Sequence, residues 1–187
     1  MPACNIIVDS CSYFRLAQSI HPLLKKPFGK EKHCLGVIKE LDEEYQKNPS
    51  LKHKFYWVNE DEFASNRNRC FALTTPEKSK INHAFFFVRE FARDEQIGVS
   101  EVDIKALSYA YVLKMPLVTD DDDMLVVANE FEISTLKTLD LMKLMLDAGV
   151  VTMKQIRAIA AYWIYQNDTP KSYRKDFRSI FLEDPPR

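Results

Sequence analysis

Glycine is scarce in this chain, and its scarcity limits the turns that the fold can use. Four glycines occur among 187 residues, at positions 29, 36, 98 and 149. No Asn-Gly or Asp-Gly pair marks a tight hairpin between two strands, and no glycine-rich loop of the kind that cradles nucleotide phosphates is present. The sequence therefore favours helices over hairpins and argues against a nucleotide-binding protein of the phosphate-loop class.

An excess of charge of either sign is also absent. The chain has 26 Lys and Arg against 27 Asp and Glu, which gives a formal net charge of −1. Any nucleic-acid binding must therefore come from a local basic patch and not from the overall charge. The hydrophobic fraction of 46% and the charged fraction of 28% are ordinary for a soluble globular protein. A chain of 187 residues suffices for one domain with a large core, or for a domain with a C-terminal extension.

Long apolar runs and paired cysteines are missing as well. No run approaches the length of a transmembrane helix, and the N-terminus lacks the basic start and apolar core of a signal peptide. The four cysteines form no C-x-x-C pair, and the four histidines add no zinc-ligand spacing. We therefore expect a cytoplasmic protein with no membrane partner, whose cysteines are buried thiols in a reducing compartment.

Short runs of strand-forming residues alternate with helical patterns, which indicates an α/β fold with a parallel sheet. Strands are predicted over residues 3–8, 33–38, 116–118 and 132–136. Helices are predicted over residues 12–25, 39–47, 51–63, 75–95, 100–114, 138–147 and 152–166, and a last segment starts at Thr169. The helix over 75–95 carries three consecutive phenylalanines at 85–87, so it is apolar on more than one side and is predicted to be central.

The chemistry of the chain is concentrated in four consecutive aspartates, Asp120 to Asp123, which follow the predicted strand 116–118. Aspartate at the start of a helix is stabilised by free backbone N–H groups, and Asp120 and Asp123 have the spacing of a capping pair. Capping explains one or two acids but not four, because two carboxylates about 6 Å apart repel by roughly 3 kcal/mol at an effective dielectric of 20. A bound cation would offset that repulsion, so capping and a metal site both stay open here.

Three further acids occupy comparable positions. Asp9 ends the first predicted strand, Glu40 opens an early helix and Asp103 opens a later one. Taken singly, Asp9 and Asp103 are explained as helix caps, and Glu40 as one of several solvated acids on a charged helix. Taken together they indicate a cluster, because the ends of parallel strands gather at one edge of a sheet. Three or four carboxylates converging there would suit Mg²⁺ or Mn²⁺ and not zinc.

At these positions the sequence resembles the PIN-domain nuclease family. The resemblance rests on four short motifs in the family's order: I-V-D-S at 7–10, V-I-K-E-L at 37–41, S-E-V-D at 100–103 followed by Ala110, and P-L-V-T-D-D-D-D-M at 116–124. It covers residues 3–139 and implies a PIN-like central parallel sheet flanked by helices. Residues 140–187 are then a helical C-terminal extension packed on the same domain.

The resemblance also implies a site and an activity. Its acids fall on Asp9, Glu40, Asp103 and Asp121, with Asp123 as an auxiliary acid. These residues are expected to bind Mg²⁺ or Mn²⁺ and to hydrolyse RNA phosphodiester bonds. The family often has non-acidic residues at the positions of Asp120 and Asp122, which we expect to be mostly solvated. Many members are toxins of VapBC-type pairs, so an antitoxin partner is implied, and a homodimer is also compatible.

Two other functions remain open at this stage. The acid run and the extended C-terminus are compatible with a non-catalytic PIN-like module that binds RNA or protein. A flap-type DNA nuclease shares the acids, but the chain lacks the length for an arch and the long basic regions that grip duplex DNA.

Binding of RNA would need cations outside the acidic centre. One candidate pair is Arg67 and Arg69, in a loop predicted between two helices. The other set recurs at helical spacing in the last segment and consists of Lys171, Arg174, Lys175 and Arg178. Aromatic and apolar residues occupy the opposite side of that segment, so it is either a helix docked by its aromatic face or, in addition, a surface that contacts the RNA backbone.

Overall fold

The centre of the fold is a sheet whose strands all run parallel. A computed structural model describes residues 4–20 and 24–186, without the side chains of residues 17–20. The strands are β1 (Ile6–Val8), β2 (Leu35–Gly36), β3 (Leu117–Val118) and β4 (Thr135–Leu136), in the spatial order β2-β1-β3-β4. The predicted α/β class with a parallel sheet flanked by helices is therefore confirmed. The predicted start of the first strand at residue 3 and the predicted break at Pro22 lie outside the described residues.

Burial on both faces explains why these short segments form strands. The side chains of Ile6, Ile7 and Val8 in β1 and of Leu117 and Val118 in β3 are all 4% exposed or less. The two strands pair with Ile7 opposite Leu117 and Val8 opposite Val118. A strand that is apolar on both sides belongs at the middle of a parallel sheet covered by helices, which is where β1 and β3 lie.

Helices make up most of the remaining structure. In chain order the described helices are α1 (Ser10–Ile20), α2 (Glu40–Lys47), α3 (Pro49–Lys54), α4 (Asp61–Arg67), α5 (Thr75–Asp94), α6 (Glu101–Leu113), α7 (Asp122–Glu130), α8 (Thr138–Asp147), α9 (Met153–Tyr165) and α10 (Tyr173–Phe181).

The single helix predicted over residues 51–63 is wrong. The Asn48 side chain caps α3, with Pro49 at its first position, and α3 ends because Phe55 adopts a non-helical conformation with φ −123° and ψ 49°. The Phe55 carbonyl instead accepts a hydrogen bond from the Tyr45 hydroxyl at 2.9 Å. A short 3-10 helix (Tyr56–Asn59) then leads into α4.

The prediction that the helix over 75–95 is central is also wrong. Helix α5 begins at Thr75 as predicted and packs along α6, but it buries one face only, through residues such as Ile81 and Val88. Phe86 and Phe87 are 52% and 71% exposed. The three phenylalanines therefore do not mark a buried helix, because consecutive residues on a helix point in different directions.

The C-terminal helices share the core of the sheet. Trp163 of α9 and Phe177 of α10 are buried in the same cluster as Val8 and Phe14. The indole Nε1 of Trp163 also donates a hydrogen bond to the carbonyl oxygen of Arg15, at 3.2 Å. The boundary predicted between residues 139 and 140 falls inside α8. Within the part of the chain described, no helix is both long enough and apolar enough to cross a membrane.

Candidate functional site at the carboxyl edge of the sheet

The candidate site lies where the two central strands end. Asp9 follows β1 directly, and Thr119, Asp120 and Asp121 follow β3. The chain runs from β1 to β2 on one side and then crosses back to β3 on the other side of β1, so the strand order reverses between β1 and β3. In open parallel sheets this reversal leaves a crevice at the carboxyl ends of the strands, which is the usual place for a site.

Asp9 is a buried carboxylate that caps α1. The residue is only 4% exposed, and its Oδ1 accepts a hydrogen bond from the Ser12 backbone N–H at 2.7 Å. Burial raises the pKa of Asp9 to about 6, and the negative charge of Asp120 adds to this. Hydrogen bonds from Ser12 and Thr119 oppose the rise but do not cancel it. An acid held in this state is typical of functional sites, because its ionised form is poorly solvated.

Asp103 and Asp121 stand at the first turns of two other helices. Asp103 forms a capping box with Ser100, whose backbone N–H donates to Asp103 Oδ2 at 3.0 Å. Asp121 is the N-cap of α7, and its Oδ1 accepts a hydrogen bond from the Met124 N–H at 2.9 Å. Burial raises the pKa of Asp103, and the charge of Asp121 raises it further. The two carboxylates are therefore close enough to repel each other.

Glu44 is an acid of this site that the sequence motifs miss. It lies one turn after Glu40 on α2, and Ser10 donates a hydrogen bond to it. Burial raises the pKa of Glu44, and the charge of Asp103 contributes in the same direction. Its Oε2 atom is buried without a hydrogen-bond partner among the described residues. The signal in the sequence is the spacing of four from Glu40, which places both side chains on one face of the helix.

The thiol of Cys11 marks where these acids meet. Part of Cys11 is exposed, contrary to the prediction that the cysteines are buried. Most of its surroundings are protein, and burial raises the pKa of this thiol to about 12, with further contributions from the charges of Asp9, Asp103 and Glu44. The structure thus brings together carboxylates from the end of β1 and from the helices α2 and α6, and Asp121 adjoins Asp103.

Glu40 lies on α2 near Tyr109 of α6. Its Oε2 is buried without a described partner, as in Glu44. Its charge acts on Tyr109, whose pKa is raised to about 12 by burial first and by Glu40 second. Glu40 also lines the cleft described below, and Glu44 is the member of the pair whose pKa is raised by the charge of Asp103, after burial.

The aspartates of the run are not equivalent, and one of them differs from the prediction. Asp120 was expected to be mostly solvated, but its side chain is 6% exposed and pairs with Arg15 at 3.0 Å. It also accepts hydrogen bonds from the backbone N–H of Thr138, at 3.1 Å, and from the Thr138 hydroxyl. The predicted capping pair of Asp120 and Asp123 does not form, because Asp121 caps α7.

The other two aspartates lie at the surface. Asp122 is exposed, as predicted, and pairs with Lys171. Asp123 is exposed beside Gly98, where a Cβ would lie 3.0 Å from Asp123 Oδ2, so this position leaves little room for a larger residue. Asp123 therefore lies against the loop that precedes α6.

The donor chemistry of this edge fits a hard divalent cation. Carboxylate oxygens are the ligands that Mg²⁺ and Mn²⁺ prefer, and two buried carboxylate oxygens, on Glu40 and Glu44, have no hydrogen-bond partner in the described part of the chain. Within residues 4–20 and 24–186, however, no three His, Cys, Asp or Glu side chains are arranged so that they could hold a metal ion. The helix caps hold these carboxylates in place, because Asp9, Asp103 and Asp121 each use one oxygen to accept a backbone hydrogen bond.

A cleft of about 540 Å³ adjoins the acids and carries much of the nearby positive charge. We call it the basic cleft; its cations are Lys39, Arg67, Arg69, Lys78 and Lys105, of which Arg67 is buried. Glu40 and Lys105 line both this cleft and a second cavity, of about 710 Å³, which also contains Glu44. The basic cleft therefore opens toward the acids.

Arg67 does not lie in a loop and is not available to bind RNA. It is the last residue of α4, its side chain is 3% exposed, and it pairs with Asp42 at 2.8 Å. Its Nη1 donates hydrogen bonds to the Tyr13 hydroxyl at 3.0 Å and to the Val58 carbonyl at 2.8 Å. The prediction for Arg67 is corrected accordingly, whereas Arg69 is exposed and lines the basic cleft.

The basic residues of the last segment are exposed, as expected for a helix docked by its aromatic face. Tyr173 and Phe177 are buried. The four cations of the segment, Lys171, Arg174, Lys175 and Arg178, are exposed. Lys171 precedes α10 and pairs with Asp122, and Arg178 pairs with Asp184. One end of this basic surface therefore reaches the aspartate run.

Comparison with known proteins adds no relative. No protein-family model, no curated protein and no solved structure matches this chain. The site is therefore defined by its own geometry.

The buried state of Asp9 predicts an unusual dependence of stability on pH. Its pKa in the folded protein, about 6, lies above the ordinary value of 3.8, so the folded state binds the proton more tightly. The free energy of unfolding should therefore fall as the pH rises through this window, by up to about 3 kcal/mol. Asp9→Asn should remove this loss of stability, because the Asn side chain does not ionise. The helix cap should survive, because the Asn Oδ1 can still accept the hydrogen bond from the Ser12 backbone N–H. We expect the variant to be more stable than wild type by about 1–3 kcal/mol at pH 7.5, but not below pH ~4.

Urea denaturation in the presence of EDTA at several pH values measures this effect. The pKa values of Glu44 and Asp103 are also raised, so the free energy of unfolding of the variant should still fall with rising pH, but less steeply. Glu130→Gln, at an exposed position on α7, is the matched control and should leave the pH dependence unchanged. An Asp9→Asn protein that is less stable than wild type at pH 7.5 would show that the ionised carboxylate stabilises the fold.

Proposed function

We propose that this chain is a PIN-like, metal-dependent endoribonuclease that hydrolyses phosphodiester bonds in single-stranded RNA. The observation that carries the proposal is the convergence of carboxylates from four separate elements at the carboxyl edge of the sheet. Asp9, Glu44, Asp103 and Asp121 are far apart in sequence, and folding brings them together although they repel. Retaining such repulsion at one crevice is expected of a site whose ligand is positively charged.

The residues of this edge would divide the work as follows. Asp9, Asp103 and Asp121, with Glu44 in the place first given to Glu40, would hold Mg²⁺ or Mn²⁺. When bound, such an ion neutralises charge on the phosphate and activates water for attack. Burial around Asp9 and Glu44 restricts solvent at the centre. Glu40 lines both the basic cleft and the cavity that contains Glu44, where it would hold or orient a second ion or a water molecule.

The test of this function is cleavage of a short single-stranded RNA by the purified full-length chain. We expect cleavage with Mn²⁺ or Mg²⁺, no cleavage with EDTA, and loss of cleavage in Asp9→Asn. Glu44→Gln should lower the rate more than Glu43→Gln, a substitution at a neighbouring exposed position of the same helix. Metal-independent cleavage, or full activity of Asp9→Asn, would contradict the proposal.

A non-catalytic PIN-like module that binds RNA or protein is the second candidate. It is favoured by the absence, within the described residues, of three side chains arranged to hold a metal ion. Calorimetric titration with Mn²⁺ separates the two candidates. Binding at or below millimolar concentration that is lost in Asp103→Asn supports the nuclease, and no binding supports the module. An antitoxin partner and a homodimer remain predictions of the family resemblance.

The basic cleft is predicted to hold the RNA backbone. Arg69 and Lys78 are exposed and line it, and Phe71 lies between them in sequence as an aromatic surface for a base. The double variant Arg69→Glu, Lys78→Glu should bind RNA about tenfold more weakly at low salt. The slope of log affinity against log salt should also fall by about 1.4, because two phosphate contacts are lost. The cleavage rate at saturating RNA should change little, since these residues act in binding alone.

The matched control reverses the same number of charges on α10. Arg174→Glu with Arg178→Glu should have the smaller effect, because α10 presents an open surface and Arg178 is already paired with Asp184. Fluorescence anisotropy at several salt concentrations measures both variants. A larger loss in the α10 variant would place the RNA path on α10, and unchanged affinity in both would remove both surfaces from RNA binding.

A further inference from the structure

Three of the four cysteines lie together, although the sequence separates them widely. Cys4 precedes β1, Cys34 precedes β2, and Cys70 follows α4. The sulfur atoms of Cys4 and Cys34 are 3.8 Å apart, and Cys4 and Cys70 line the same cavity of about 260 Å³. The pairing of neighbouring strands β1 and β2 places the first two side by side, and the segment after α4 adds the third. Cys4 therefore lies beside two other thiols.

Cys70 is the member of this cluster that borders two cavities. It is only 8% exposed at the surface of the chain, but it lines the basic cleft and also a separate cavity of about 260 Å³. Cys4 lines that second cavity too, beside Lys25 and Arg69. Cys34 lines neither of them.

The surroundings of Cys70 favour its thiolate. The interaction with the neighbouring Cys4 thiol lowers the pKa of Cys70, and the positive charges of Lys25 and Arg67 act in the same direction, against the opposing effect of burial. The same interaction raises the pKa of Cys4. Lys25 is held in this place by hydrogen bonds from its Nζ to the carbonyls of Ser65 and Asn68, at 3.2 and 2.8 Å. The two thiols are thus unequal, and Cys70 is the better nucleophile.

We propose that Cys70 is a site of oxidation by hydroperoxides and that it forms a disulfide with Cys4. In the first step the Cys70 sulfur attacks one oxygen of hydrogen peroxide; the O–O bond breaks, hydroxide leaves and takes up a proton, and Cys70 becomes a sulfenic acid. In the second step Cys4 gives up its proton, its sulfur attacks the Cys70 sulfur, and the S–O bond breaks with release of water. Two thiols lose two electrons, and the peroxide is reduced to two molecules of water.

The disulfide ties a wall of the basic cleft to the central strand. Cys70 lies between Arg69 and Phe71, both of which line the cleft, and Cys4 lies two residues before β1. The Cys70 thiol donates a hydrogen bond to the Arg67 carbonyl at 3.1 Å, and oxidation removes that donor. The modification therefore changes the backbone contacts of the segment that carries Arg69. The inference stands independently of the proposed nuclease activity, since it needs only the thiol cluster.

The experiment uses the full-length chain with Cys11→Ser, because Cys4 and Cys11 share one tryptic peptide, residues 1–15. The reduced protein is treated with hydrogen peroxide, alkylated with N-ethylmaleimide in denaturant, and digested with trypsin without reduction. We expect a cross-link between peptides 1–15 and 70–78, and a fall in alkylated thiols from three to one per chain. A cross-link between peptides 1–15 and 33–39 in its place would overturn the proposal.

Two further variants test the assignment of roles. Cys34→Ser should leave the cross-link between residues 4 and 70 intact, and Cys70→Ser should abolish peroxide-dependent loss of thiols. If Cys70→Ser does not fold, the cross-link found in the folded Cys11→Ser protein still decides the question. Oxidation of Cys70 to sulfinic or sulfonic acid without a cross-link, or an unmodified Cys70, contradicts the inference.

Discussion

Asp103→Asn is expected to reduce RNA cleavage by about a hundredfold or more and to leave the fold intact. Removing an outer-shell partner of a metal ligand costs about 10–100-fold, so under the proposed function the loss of Asp103, a proposed ligand, should cost at least as much. The helix cap survives, because the Asn Oδ1 accepts the hydrogen bond that Asp103 Oδ2 now accepts from the Ser100 N–H. Removing the charge also relieves the repulsion with Asp121 that raises the pKa of Asp103.

Single-turnover cleavage with Mn²⁺ and thermal unfolding of the same protein preparation measure the two halves of this prediction. Asp122→Asn is the control, since Asp122 is exposed and pairs with Lys171 at the surface, and its cleavage rate should stay near that of wild type. An Asp103→Asn protein that cleaves at the wild-type rate would show that Asp103 is a helix cap alone. Loss of a cooperative melt would show that its charge is required for folding.

Asp120→Ala is expected to lower the free energy of unfolding by about 3–5 kcal/mol, the usual cost of removing one partner of a buried ion pair. The Arg15 side chain is only 16% exposed and would lose its ion pair with Asp120, at 3.0 Å. Its ion pair with Asp168, at 3.3 Å, would remain. The backbone N–H of Thr138 would lose its acceptor as well, whereas the Thr138 hydroxyl would keep Ser12 Oγ as a partner at 3.1 Å. The N-terminus of α8 would then be left with an unsatisfied backbone donor.

Urea denaturation gives the free energy directly, and Asp122→Ala is the matched control in the same run of aspartates. That variant removes an exposed pair with Lys171 and should cost much less than Asp120→Ala, because solvent screens a surface ion pair. The double variant Arg15→Ala, Asp120→Ala should be less destabilised than the sum of the single variants, by about 0.5–3 kcal/mol, because the residues are in contact. Equal losses for Asp120→Ala and Asp122→Ala would show that the Arg15 pair contributes nothing to stability.

Local signals explain which parts of the fold could be predicted from the sequence. The helices predicted over residues 138–147 and 152–166 occur as α8 and α9, and a capping box of Thr152 and Gln155 opens α9. Each depends on residues three or four positions apart, so no tertiary contact is needed to identify it. The parallel sheet was predictable from the order of the elements, because alternating strands and helices leave few other topologies.

Contacts between distant residues explain what could not be predicted. Asp120 and Asp122 are chemically identical and two positions apart, but a pair with Arg15, 105 residues away, buries one of them. Arg67 looks like a loop cation until its partners Tyr13 and Asp42 are known. Glu44 differs from Glu40 only in which of them faces Asp103 after α2 has packed. None of these outcomes has a signal within a short stretch of sequence.

The contact between Trp163 and Arg15 has a consequence for how the protein is made. These residues are 148 positions apart, and the core around β1 and α1 includes side chains of α9 and α10. A ribosome adds about 5–20 residues per second, so β1 waits roughly 7–30 s for the helices that cover it. During translation the nascent chain therefore carries an uncovered apolar strand. We expect it to need a chaperone, or the shelter of the ribosome itself, until its last helices emerge.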